Sequence, residues 1–112
     1  PCEQKYDYQY VKDFAFGILS VINKKENKSG IYNFCHSESI PLKELLIQIA
    51  NLMGVSKKLL QFGAIPYRNG QNMFIIGDNS KFRECFSDED NSYIGLANGL
   101  IKTIEYYKKR EL

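Results

Sequence analysis

A chain of 112 residues accommodates one domain of ordinary size, so a cofactor enzyme with separate nucleotide and substrate domains does not fit. A hydrophobic fraction of 44% with 25% charged residues is that of a folded globular protein, which excludes disorder, and no apolar run approaches the roughly 18 residues of a membrane span. Fifteen basic against 13 acidic residues leave a net charge of +2, too small to point to nucleic acid.

In chain order, Val11, Phe14, Ala15, Ile18, Leu19 and Ile22 recur at three and four residues and predict an amphipathic helix from Val11 to Lys24, with Asp13 at the positive end of its dipole. The polar stretch Glu26 to Gly30 breaks the pattern, and Ile31 to Cys35 reads as a short strand. Pro41 suits the first turn of a second helix carrying Leu42, Leu45, Leu46, Ile49 and Met53, and Gly54 is placed to end it. Leu59 to Phe62 and Phe74 to Ile76 are brief apolar runs that read as strands around the turn at Pro66 to Gly70. Asp78 or Ser80 caps a short helix near Lys81, and Ile94, Ala97, Leu100, Ile101, Ile104 and Tyr107 predict a last helix from Ser92 to Lys109, capped by Asp90 or Ser92. Gly95 and Gly99 weaken that helix by about 1 kcal/mol each relative to alanine. The expected architecture is a small α/β layer of three main helices, one short helix and two or three short strands.

No GxGxxG or GxxxxGK[ST] loop is present. Tyr8 and Lys12 have the Tyr-x-x-x-Lys spacing of a catalytic acid/base pair, but eight tyrosines and many lysines yield about one such pair by chance, and Tyr8 precedes the helix that carries Lys12. Cys35 and His36 are adjacent on extended chain and point to opposite sides, so they do not make a nucleophile and base. Asp88, Glu89 and Asp90 lack the spacing of an EF-hand and read as a solvated loop. Cys2, Cys35 and Cys85 are odd in number and widely spaced, so neither a disulfide framework nor a metal knuckle follows, and a reducing, cytoplasmic setting is expected. Tyr6, Tyr8 and Tyr10 alternate on one strand face, which reads as packing. Arg68, in a Pro-Tyr-Arg-Asn-Gly turn, is a guanidinium that can grip phosphate oxygens in pairs.

Taken in order, Tyr8 to Asp13, Gly30 to Asn33, Leu42 to Leu46, Pro66 to Gly70, Asp78 to Lys81 and Gly99 to Tyr107 resemble the C-terminal part of the NAD-dependent epimerase/dehydratase family of extended short-chain dehydrogenases, which act on nucleotide sugars. The resemblance implies that residues 1–112 are a substrate-binding domain alone, without the N-terminal Rossmann domain. That absent domain would hold NAD or NADP and the catalytic pair, leaving no cofactor, metal or catalytic residue on this chain. It further implies a nucleotide-diphosphate sugar as the ligand. The family's Arg-x-Gly-Asp motif falls on Arg68 to Gln71, so Arg68 takes the diphosphate and Gln71 stands where an aspartate commonly reaches the ribose. Tyr6 stands where an arginine usually contacts the diphosphate, with Lys5 beside it as a substitute cation. The family's Leu-Gly-Trp-x-Pro segment is replaced around Cys85 to Asp88. The face toward the missing domain would be apolar and, left uncovered, would allow self-association. The reaction itself, whether isomerase or lyase chemistry, has its determinants on the missing domain. A small α/β module that binds a protein partner, with no enzymatic role, is the alternative.

Overall fold

The computed structural model describes residues 2–24, 28–86 and 93–110. Strand β1 (Lys5–Asp7) leads into helix α1 (Val11–Asn23); strand β2 (Ser39–Pro41) runs directly into α2 (Leu42–Met53), and α3 (Ser80–Phe86) and α4 (Leu96–Arg110) follow. The strands pair antiparallel, with Tyr6 opposite Ile40, and β1 is flanked on its other edge by a parallel bridge from Lys5 to Phe74. The result is the small mixed α/β layer expected, three long helices and one short one around a minimal sheet. No helix among the described residues is long and apolar enough to cross a membrane.

Helix α2 follows its sequence signals closely. Pro41 is its N-cap, and Gly54 takes a left-handed conformation (φ 67°) that lets its N–H reach Ala50 and Asn51. Asp78 accepts from both the backbone N–H and the hydroxyl of Ser80, capping α3 and drawing the Asp78 carboxyl below its ordinary pKa. Gly95 lies before α4 rather than inside it, at φ 83°. Gly99 is buried against Tyr10, where an added Cβ would sit 2.7 Å from Cβ of Tyr10; its absence is what lets α4 approach the chain ahead of α1. The proposed caps Asp90 and Ser92, the start of the last helix at Ser92, and the acidic run 88–90 lie outside the described residues.

Three expected strands are absent. Residues 31–35 pair with nothing; their rings form a cluster instead, Phe34 against Phe82 (4.4 Å between centroids), Phe14 (5.7 Å) and Tyr93 (6.2 Å), and Tyr32 edge-on to Phe86 (4.9 Å). Lys57–Leu59 closes a 3-10 turn capped by Ser56, so the run from Leu59 to Phe62 starts in a turn. The run at Phe74 to Ile76 makes only the one bridge to Lys5. β1 likewise stops at Asp7, so the three alternating tyrosines do not share a strand.

Helix α1 is turned the other way from the expected packing. The residues it buries are Asp13, Gly17 and Ser20, one stripe at intervals of four and three, while Val11 (71% exposed), Ile18, Leu19 and Ile22 (69%) face outward. Among the described residues the buried apolar core is only Leu45, Ala50, Phe82 and Phe86. The chain exposes 8510 Å², about a third more than the roughly 6300 Å² a folded monomer of 13.0 kDa presents. Its radius of gyration, 16.9 Å, also exceeds the roughly 13 Å typical of this length.

Three phenols set an alkaline limit on this small fold, Tyr8, Tyr93 and Tyr32, the last raised by desolvation and a hydrogen bond with Cys85. Burial, then the neighbouring Tyr6 and Cys2, push Tyr8 above the ordinary 10.0; burial does the same for Tyr93, with Asp13 adding to it and a hydrogen bond with Ser20 opposing. A pKa raised on folding contributes stability that is fully present below about pH 10 and is lost as pH rises through the folded value. The denaturation midpoint should therefore fall above pH 10, and an ultraviolet titration should show three phenols, Tyr8, Tyr32 and Tyr93, ionising late. A midpoint flat to pH 11 would contradict it.

Candidate functional site

The site is built on a turn and a strand. Gln71 N–H donates to the carbonyl of Arg68 at 3.0 Å, and Gly70 at φ 74° occupies the position of a type II turn that requires positive φ. The turn is tied to the start of the chain by Glu3 N–H, which donates to the Tyr67 hydroxyl at 2.7 Å. Beyond it, Lys5 exchanges backbone hydrogen bonds with Met73 and Ile75, both 2.8 Å, which brings β1 alongside. Tyr6 then reaches across: its hydroxyl donates to the carbonyl of Asn72 (2.7 Å) and accepts from Nε2 of Gln71 (2.8 Å). Nε of Arg68 donates to Oε1 of Gln71 at 3.5 Å.

Tyr6, Arg68 and Gln71 thereby line one open depression of about 450 Å³, together with Asn69, Gly70, Asn72 and Ile75. Lys5 does not line it; neighbouring residues of a strand project to opposite faces, and Lys5 is on the side away from Tyr6. Among the described residues no carboxylate pairs with Arg68, so its charge is available to an anion. Asn72 had no sequence signal, and Ile75 had one only as part of the apolar run 74–76: Asn72 takes part through its carbonyl, which every residue possesses, and Ile75 through the bridge that aligns its segment with β1.

A larger depression of about 540 Å³ lies between α2 and α4, lined by Ile49, Met53, Leu100, Ile104 and Tyr107, with Lys108 its one charged group among the described residues. Its Thr103 hydroxyl is already used, donating to the Gly99 carbonyl at 2.7 Å. A ligand site needs a few convergent polar groups to fix orientation, and these are found at Arg68 rather than here.

The other motifs resolve as structure. Tyr8 lies ahead of α1, and its pKa is raised, opposite to what a catalytic tyrosine activated by lysine requires. Cys35 Sγ faces Ser37 Oγ (3.4 Å), whereas His36 Nε2 faces Glu38 (3.5 Å), so the thiol and imidazole serve different neighbours. Sequence reasoning missed Asp7, whose carboxylate accepts from the backbone N–H groups of His36 (3.0 Å), Ser37 (2.8 Å) and Gly77 (3.3 Å). It holds Ser37 at φ 64°, a conformation that a side chain disfavours. Among the described residues no group of three metal-ligating side chains converges. Compared with known proteins, the chain matches no family model, and no curated protein matches it.

Proposed function

We propose that the chain is the substrate-gripping domain of a nucleotide-sugar epimerase or dehydratase, with the Arg68 depression taking the diphosphate. The observation that carries this is the convergence of Tyr6, Arg68 and Gln71 on one open, polar depression although 65 residues separate Tyr6 from Gln71. The same three residues stand at the phosphate- and ribose-binding positions of the family the sequence resembles. In this reading Arg68 is a clamp, not an acid or base. Holding the non-reacting diphosphate lets remote binding energy orient the sugar toward NAD or NADP on a Rossmann domain. The outward apolar face of α1 supports the second half of the reading, because it offers a surface for such a domain to cover. The protein-interaction module accounts for that face equally well but gives no task to Arg68, which pairs with no carboxylate among the described residues.

Calorimetric titration with uridine, guanosine and thymidine diphosphates tests the reading. At least one should bind, and Arg68→Ala should weaken it by about tenfold to a hundredfold, the scale of losing a charge-assisted contact. Binding of none of them, or an affinity unchanged in Arg68→Ala, would sink the proposal.

A further inference from the structure

We infer that Gln71 is a positioning residue for Arg68 and does not itself contact the nucleoside, an inference that rests on the reading of the depression as a phosphate clamp. The Tyr6 hydroxyl has a single proton, and it goes to the carbonyl of Asn72 at 2.7 Å. Toward Gln71 that hydroxyl can therefore only accept, and Nε2 of Gln71 meets it at 2.8 Å. With its NH₂ end fixed there, Gln71 presents Oε1 to Nε of Arg68 at 3.5 Å. Flipping the amide would set NH₂ against N–H at Arg68 and oxygen against a hydroxyl with no proton left to give.

The relay thus has one polarity, anchored on a main-chain carbonyl and ending on the guanidinium. Its effect is to occupy the Nε–H of Arg68 and leave the two terminal nitrogens, which bond to no described residue, as the edge offered to a ligand. That edge is a two-pronged fork suited to paired phosphoryl oxygens. Among the described residues that line the depression, Arg68 is the one cation, so the fork carries its positive charge. Tyr6 accordingly serves the phosphate through Gln71 and Arg68 rather than by touching it.

The experiment compares two probes, inorganic pyrophosphate and uridine diphosphate, on the wild-type chain and on Gln71→Leu, Gln71→Glu and Tyr6→Phe, with circular dichroism confirming the fold of each. Pyrophosphate has no ribose or base. If Gln71 acts through Arg68, Gln71→Leu weakens both probes by the same factor, roughly three- to tenfold, and has no further effect in an Arg68→Lys background. Gln71→Glu weakens both more, since a carboxylate beside Nε offsets the guanidinium charge. A loss seen with uridine diphosphate alone, or a Gln71→Glu variant that binds as well as wild type, overturns the inference while leaving the phosphate role of Arg68 intact. If wild type binds neither probe, the clamp reading fails instead, and the brace is judged by the hydrogen-exchange rate of the Arg68 Nε–H in NMR. Exchange faster in Gln71→Leu than in wild type supports the brace; equal rates overturn it.

Discussion

Asp13→Ala is expected to destabilise the chain by about 3 kcal/mol or more, measured as the shift in chemical denaturation. The sequence offers a small role for Asp13, an acid in the first turn of α1 worth about 0.5 to 1 kcal/mol through the helix dipole. The structure gives it a larger one. Asp13 is 4% exposed, and its two oxygens accept from the backbone N–H groups of Ile94 (2.7 Å) and Gly95 (2.8 Å), joining α1 to the approach of α4. Alanine leaves two donors without their acceptor in a poorly hydrated place, which is the expensive way to lose a hydrogen bond. Asp13→Asn keeps one acceptor oxygen and should fall between the two. A loss under 1 kcal/mol for Asp13→Ala would mean that only the dipole effect is real.

Gly17→Ala should also destabilise, by about 2 to 3 kcal/mol, where helix propensity alone says the chain should gain about 1 kcal/mol. The two effects have opposite signs, so the measurement decides between them. The ring of Phe34 lies against the bare Cα of Gly17, and an added Cβ would overlap its edge atoms Cε1 and Cζ. The ring has little freedom to retreat, because Phe14, Phe82 and Tyr93 surround it. Shortening it to leucine in the double variant Gly17→Ala, Phe34→Leu should recover part of the loss, a coupling that a purely local helix effect does not produce. Stabilisation of the single variant would show that Phe34 does not pack where the structure places it.

Both cases mark where local pattern stops being informative. α2 was legible end to end because its determinants are its own: apolar spacing, Pro41 before it and a left-handed Gly54 after it. α1 was legible as a helix but not in its orientation, since periodicity reveals an apolar face without naming what covers it. Residues 31–35 looked like a strand because β-branched and aromatic residues fit a pleated surface, yet the edges of β1 are taken by Ser39–Pro41 and Phe74, and the rings find partners in α1 and α3. At the site, Arg68 and Gln71 could be singled out from a turn, and Tyr6 from its place in a motif. Their junction depends on backbone pairing between Lys5 and residues 73–75, which no local rule encodes.

The clasp at Asp7 has a further meaning for how the chain reaches this fold. Its three donors arrive 29, 30 and 70 residues later in the sequence, and β1 itself closes on Ser39–Pro41 and on Phe74. During synthesis β1 therefore has no complete set of partners until residue 77 has been made. Non-local closures of this kind slow folding, because loop entropy is lost before contacts return it. Strand β1 therefore waits for residues far along the chain before its hydrogen bonds are complete, whereas the hydrogen bonds within α1 and α2 need only near neighbours.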